Sequence, residues 1–268
     1  MFLSVIIPTY NRYDLLRKCL DNLVPDFQTI DAKSYEIIVS DDSKTNEEIE
    51  ILKKEYPFVT FVPGPQKGPA SNRNNGAKHS KGDWLVFIDD DCLPDKDILL
   101  SYLNEIKKGV YKGIEGYINA DRLQERFDEQ SPLNLTGGCF WSCNIAVDKE
   151  VFNKLNGFDE GFPGAALEDT DFYERLKTVA KTTFLPSAKV IHPWRRVNKW
   201  GNYNKWIASH QYAIKKANIP KNFKFRVKRI NLFIGLVFIH GKELIKFRFK
   251  GFYYYLEVLI YNFLMIFY

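Results

Sequence analysis

The sequence predicts an α/β fold, a mostly parallel sheet flanked by helices, followed by a helical, basic and aromatic C-terminal extension. Three observations predict it. The first hundred residues alternate short apolar runs with stretches at helical spacing. Several of those runs end in acidic or polar clusters. From residue 195 onward the pattern turns helical, basic and aromatic.

Phe2–Pro8 (FLSVIIP) reads as a buried strand. Asn11 is placed to cap the next helix, with Asp14 in the position of a capping-box acid. Leu15, Leu16, Cys19, Leu20 and Leu23 then form one apolar face. Tyr35–Val39 is the second strand, ending in Ser40-Asp41-Asp42-Ser43. A helix over 46–55 follows, capped by Asn46, with Glu47 and Glu48 favouring its positive end. Phe58–Val62 is a third strand, and a Pro/Gly-rich loop over 63–69 leads into a helix near 70–80. Trp84–Ile88 is a fourth strand, ending in Asp89-Asp90-Asp91, and a helix spans 95–107. Beyond it, strands are expected over 114–118, 139–147, Thr182–Leu185 and Lys189–His192, with helices near 148–155 and 168–178.

The chain, 268 residues with 45% hydrophobic and 26% charged content, is long enough to bury a full core. Cys139 and Cys143 form a lone C-x-x-x-C, weak evidence for zinc; scattered thiols in a reducing compartment account for the four cysteines better. The start, MFLSVIIPTYNR, has neither a basic segment nor a long apolar one. It reads as the first strand, and no secretion is expected. The net charge of +5 is unevenly spread. Residues 195–268 hold 15 Lys/Arg against Glu243 and Glu257, a balance of +13, which leaves −8 for residues 1–194. An acidic body suits a cation, and a basic tail suits an anionic surface.

Ligands bind an open parallel sheet at the carboxyl ends of its strands. Pro8-Thr9-Tyr10-Asn11-Arg12, Asp41-Asp42 and Asp89-Asp90-Asp91 fall at such ends. So many carboxylates at one mouth call for a cation, and a hard ion such as Mg²⁺ or Mn²⁺ bridging a diphosphate fits. Each Asp alone could be a turn or cap residue. The triplet, between an apolar strand and Cys-Leu-Pro, is not a solvated charge run. Arg73, in KGPASNRNNG, can pair with a phosphate or lie on the surface of its helix. In Leu167-Glu168-Asp169-Thr170-Asp171, some acids serve the helix dipole, which leaves Glu168 and Asp169 for general-base work.

These stretches carry a resemblance. SVIIPTYNR, IIVSDDS, GPASNRNNGAKHSKGDWLVFIDDD, NGFDE and LEDTDFYERL occur in the order found in family 2 glycosyltransferases, inverting enzymes of Rossmann-like GT-A fold. The resemblance spans roughly residues 2–192. It implies a catalytic domain over 1–194 that takes a nucleoside-diphosphate sugar, UDP being the commonest, and passes the sugar to a glycan or lipid-linked glycan. Pro8, Thr9, Asn11, Arg12, Asp41, Arg73, Asp89 and Asp90 would bind the nucleotide sugar. Asp91, with Asp89 and His192, would hold Mn²⁺ or Mg²⁺. Asp169 would be the base with Glu168 beside it, and Gly138 and Trp141 would shape the donor and acceptor pocket. A lone His is also often structural. The family's usual V-D-D-G-S-T-D run appears here as Val39-Ser40-Asp41-Asp42-Ser43-Lys44-Thr45, without its Gly, and Cys139–Asn144 is bulkier than usual.

The extension, 195–268, ends in GFYYYLEVLIYNFLMIFY, near the lower limit for a spanning helix and interrupted by Glu257. It reads as an interfacial helix on the inner, cytoplasmic face of the cell membrane. The alternative is a helical cap packed on the catalytic domain or on another subunit of a homo-oligomer. No base-reading module is present, so no nucleic-acid partner is expected. The competing function is a non-catalytic nucleotide-sugar-binding scaffold subunit.

Overall fold

The computed structural model describes residues 1–44, 47–197, 203–220 and 222–267. They form two units. One comprises Met1–Asp121, Pro132–Glu160 and Glu168–Pro193. The other comprises Arg122–Ser131, Gly161–Leu167 and the described residues from Trp194 onward.

In the first unit, β1 (Leu3–Thr9), β2 (Tyr35–Asp41), β3 (Val59–Pro63) and β4 (Trp84–Ile88) alternate with α1 (Tyr13–Asp21), α2 (Glu47–Glu55) and α3 (Pro69–His79). Then come β5 (Leu93–Pro94), α4 (Ile98–Ile106), β6 (Gly113–Asn119), β8 (Asn144–Asp148), α5 (Lys149–Lys154), α6 (Glu168–Lys177) and β9 (Thr182–Ile191). Sheet order is β3-β2-β1-β4-β8-β6-β9-β5. The half from β3 to β4 is parallel. β8 runs antiparallel to both β4 and β6, β6 and β9 are parallel, and β5 is antiparallel to β9.

All seven residues of β1 and all five of β4 are buried, as expected for strands covered on both faces. The pleat sends Leu3, Val5, Ile7, Val86 and Ile88 to one core, with Leu16 and Leu20 of α1. It sends Ile6, Leu85 and Phe87 to the other, with Phe152, Phe158 and Phe172. Leu15, expected on the buried face of α1, is instead 37% exposed.

Three further expectations are corrected. Asn11 does not cap α1. It adopts a left-handed φ of 52°, which Asn tolerates, and Arg12 holds the cap position without a side-chain cap bond. The strand expected over 139–147 begins only at Asn144. Gly137, Gly138 and Phe140 have positive φ, and the amides of Gly138, Cys139 and Phe140 donate to the buried Glu115 carboxylate, so they are lost to any ladder. The two short strands after 181 are one, β9. Its pairing with β6 jumps from Gly116↔Leu185 to Tyr117↔Lys189, so Pro186–Ala188 bulge out of register. The expected Asn46 cap lies outside the described residues.

The second unit holds a short ladder of β7 (Glu129–Gln130) with β10 (Arg195–Arg196). Its helices are α7 (Tyr203–Lys216), α8 (Phe223–Lys246) and α9 (Phe252–Leu264). Phe127, Leu244 and Phe247 form one small core and Ile214, Tyr261 and Met265 another. Among the described residues no helix is long and apolar enough to cross a membrane.

Gly116 is a packing requirement. A Cβ there would sit 2.2 Å from Asn144 Nδ2 and 2.6 Å from the Ala188 carbonyl. Asn144 uses that nitrogen to reach the Tyr117 and Ala188 carbonyls, and its Oδ1 accepts from Tyr102. Gly116→Ala should therefore cost about 1–3 kcal/mol in chemical denaturation. An unchanged midpoint would mean the strand junction yields freely.

Candidate active site

The chain leaves β1 for β2 on one side and later enters β4 on the other. The carboxyl ends of β1 and β4 therefore border the crevice where an α/β sheet takes ligands. Residues at or just past both ends meet there. Thr9 Oγ1 donates to Asp90 Oδ2 at 2.7 Å. Arg12 spans two acids: Nε to Asp90 Oδ2 at 3.1 Å, Nη2 to Asp90 Oδ1 at 2.5 Å, and Nη1 to Asp91 Oδ2 at 2.9 Å. His192, one residue past β9, brings Nε2 to 3.2 Å from Asp91 Oδ1. Burial pushes the Asp90 carboxyl up to about 7, against the pull of Arg12 and with the repulsion of Asp91.

A second cluster adjoins the triplet through Arg73. This residue is buried, not superficial. Its Nη2 donates to Asp89 Oδ1 at 2.7 Å and its Nη1 to Glu168 Oε1 at 3.1 Å. Burial opposes its charge, but Asp89 and Glu168 outweigh that and hold the guanidinium above its usual range. Burial pushes Glu168 up to about 7 and raises Asp169 as well, with Arg73 opposing both. Glu168 Oε2 is buried without a hydrogen-bond partner. Thr170 N donates to Asp169 Oδ1 at 2.8 Å. Asp171 is used elsewhere: it accepts from Arg175, which also donates to the Leu155 and Gly157 carbonyls and so anchors α6.

Asp41 lies at the end of β2. It accepts from Tyr13 OH at 3.0 Å and from Ser43 N and Oγ at 2.9 and 2.5 Å. Beside it is a cavity of about 250 Å³, bordered by Ser43, Phe61, Pro63, Gly64 and Gln66. Pro8 is buried in the β1–β2 ladder, and exposed Asn11 donates its amide to Ser43 Oγ at 2.7 Å. Gly138, with φ of 95°, has open space where a side chain would be. Trp141 packs its half-buried ring on the core.

Among the described residues, Asp91, Cys92 and His192 present ligand atoms within 4.8 Å of one another. Cys92 is fully buried and turns its Sγ to the Cys143 carbonyl, which leaves a carboxylate and an imidazole as the usable donors. That pair fits Mn²⁺ and is less suited to Mg²⁺. Asp89, a metal candidate from the sequence, faces Arg73 instead of His192.

Sequence reasoning assigned no role to the residues that shape this mouth. Asn72 Nδ2 ties the Thr9 and Ser40 carbonyls together, Asn74 clasps the Phe158 backbone, and Glu115 gathers the 138–140 amides. The signal for Glu115 was a lone acid inside the strand run GIEGYIN.

The raised Asp90 group has a stability consequence. Its contribution is fully present below the unfolded value of about 4 and is lost as pH rises through the folded value. In chelator, as pH falls from about 8 to about 5, the parent should gain on Asp90→Asn by about 1–3 kcal/mol. A difference that does not change with pH would mean Asp90 does not titrate in this range.

Comparison with known proteins bears on the family and the fold. The model described as glycosyl transferase family 2 matches residues 4–155, and that of the N-terminal domain of galactosyltransferase matches 127–194. The poly(ribitol-phosphate) beta-glucosyltransferase of Bacillus spizizenii is 37% identical over 43% of this chain and 20% of its own length. An uncharacterized glycosyltransferase of Haemophilus influenzae is 31% identical over 69% of this chain and 64% of its own. The chain thus spans a fifth of one curated relative and under two-thirds of the other. GalNAc-T7 solved with UDP, GalNAc and Mn²⁺ superposes with a TM-score of 0.62 at 17% identity, over 80% of this chain and 48% of that one, which bears out the GT-A fold. Because the family's model takes in more than half of the chain, and does so over the strands that build this mouth, the chain belongs to glycosyl transferase family 2.

Proposed function

We propose that the chain catalyses inverting transfer of a sugar from a nucleoside-diphosphate sugar, UDP foremost, to a hydroxyl of a glycan or lipid-linked glycan. The observation that carries the reading is the Arg73 bridge. It brings Asp89, beside the Asp91–His192 pair, and Glu168, beside Asp169, to one mouth. Donor activation and acceptor deprotonation require that closeness.

Asp91 and His192 would hold a divalent cation, Mn²⁺ by preference, with Asp89 close by. When bound, it supplies the Lewis acidity that neutralises a departing diphosphate. The rest falls to the chain. Asp41, held by Tyr13 and Ser43 beside its cavity, would accept from the ribose or base, with Pro8, Thr9 and Asn11 forming the adjoining wall. Arg12 and Arg73 would face the phosphates while Asp89 and Asp90 orient them. Asp169 would take the proton from the acceptor hydroxyl. Its burial raises its proton affinity against the pull of Arg73, and Asp89 adds repulsion in the same direction, which suits a proton acceptor. Gly138 leaves room for a sugar to approach the backbone, and Trp141 would border the pocket.

A base across the mouth from the leaving group gives inversion. The beta-glucosyl product named for the Bacillus relative supports that, since transfer from an alpha-linked donor inverts the centre. The same relative supports a polymeric, hydroxyl-bearing acceptor. The four cysteines are free, in keeping with a reducing cytoplasmic setting at the inner face of the membrane.

Asp169→Asn should lower the transfer rate by about a hundredfold or more while leaving donor affinity within a few fold. Near-parental turnover would rule Asp169 out as the base. Asp91→Ala and His192→Ala should each weaken Mn²⁺-dependent binding of UDP-sugar by about tenfold or more in calorimetry. Equal affinity with and without Mn²⁺ in the parent would sink the metal assignment.

A further inference from the structure

Helix α8 has two apolar faces, and the described residues cover one. Inward, Leu244 and Phe247 join the core around Phe127, Phe225 joins the core around Tyr261, and Phe233 meets Phe263 at a ring separation of 5.9 Å. A second stripe runs along the same helix: Phe223, Val227, Ile230, Ile234, Phe238 and Ile245, spaced by three, four or seven residues and all exposed, Phe223 by 83% and Phe238 by 66%. Lys224, Lys228, Lys242 and Lys246 lie one step round the helix, along one flank of that stripe. Helix α9 adds exposed Tyr253, Leu256, Ile260 and Phe263. The turn between the helices exposes Arg248, Phe249 and Lys250.

We propose that this exposed stripe of α8 is a docking face for an anionic lipid bilayer, on which the helix lies in the plane of the headgroups. The proposal goes beyond glycosyl transfer and does not rest on it. Three observations choose the occupant. The apolar run between the basic ends, Ile230–Ile239, is far shorter than the roughly 20 residues a spanning helix needs. The helix therefore lies on a bilayer instead of crossing it, consistent with the absence of any candidate span among the described residues. The lysine row borders the apolar stripe, which lets the ammonium groups reach lipid phosphates while the stripe sinks toward the acyl chains. The tail's balance of +13 attracts an anionic surface and repels a second copy presenting the same lysines. Extended along the surface, α8 covers about 36 Å.

The test uses the full chain with two vesicle preparations: phosphatidylcholine alone, and phosphatidylcholine mixed with phosphatidylglycerol. Flotation should recover the protein with the anionic vesicles, and added salt should weaken the binding. Ile234→Ser with Phe238→Ser should reduce binding by about tenfold or more. Lys224→Gln, Lys228→Gln, Lys242→Gln and Lys246→Gln together should weaken the preference for phosphatidylglycerol by several fold. Circular dichroism of each variant should match the parent, since all of these residues are exposed. Failure of the parent to float with either vesicle would overturn the proposal. So would stripe variants that float like the parent, or a parent dimer in sedimentation that the stripe variants lose, because the face would then serve a second copy. Nucleotide-sugar turnover, assayed without vesicles, reports separately on the transferase reading.

Discussion

One buried guanidinium organises the candidate site. Arg73 sits in a helix with almost no apolar face, PASNRNNGAKH, yet most of that helix is buried. A charge in such a place is tolerable only if it is paired, and its partners come from far along the chain: Asp89 at the tip of β4 and Glu168 at the start of α6. Removing one partner of a buried pair typically costs about 3–5 kcal/mol, because the other charge stays behind. The fold therefore gathers α3, the β4 tip and the α6 start at one point. The rest of α3 is satisfied in the same way. Asn72 and Asn75 bind the ends of β1, β2 and β3, Asn74 fixes the loop at Phe158, and Gly76 lets Ile6 come close. A helix that buries amides and a guanidinium gives up hydrophobic packing for placement.

What the sequence revealed, and what it hid, follows from the range of each interaction. The strands and helices through residue 107 are legible because their signals are local: apolar runs such as LSVII and WLVFI, the Pro69 helix start, and turn residues between them. The acid clusters are legible because topology alone sends strand ends to one side of a parallel sheet. The 134–144 stretch was not legible. Its shape depends on Glu115, some twenty residues earlier, taking three successive amides, and nothing in CFWSCNIAV announces that those amides are already spoken for. Asn11 misled for a related reason. A residue type favoured at caps is also one that tolerates the left-handed region, and here the hydrogen bond from the Asn11 backbone N–H to Ser43 Oγ selects the latter.

The acids of the mouth bring counter-charges of their own, and these are distributed unequally. Asp89 has the buried Arg73. Asp90, fully buried, takes two nitrogens of Arg12 and the Thr9 hydroxyl. Asp91 shares the remaining Arg12 nitrogen on one oxygen and faces His192 with the other. Arg12 keeps about a third of its side chain exposed, so it is held mainly from the Asp90 side. A cation held next to Asp91 would leave the Arg12–Asp90 contacts between the β1 and β4 ends in place. The triplet thereby divides its labour by depth. The innermost acid fixes the arginine that joins two strand ends, and its neighbour, nearer the opening, faces an imidazole.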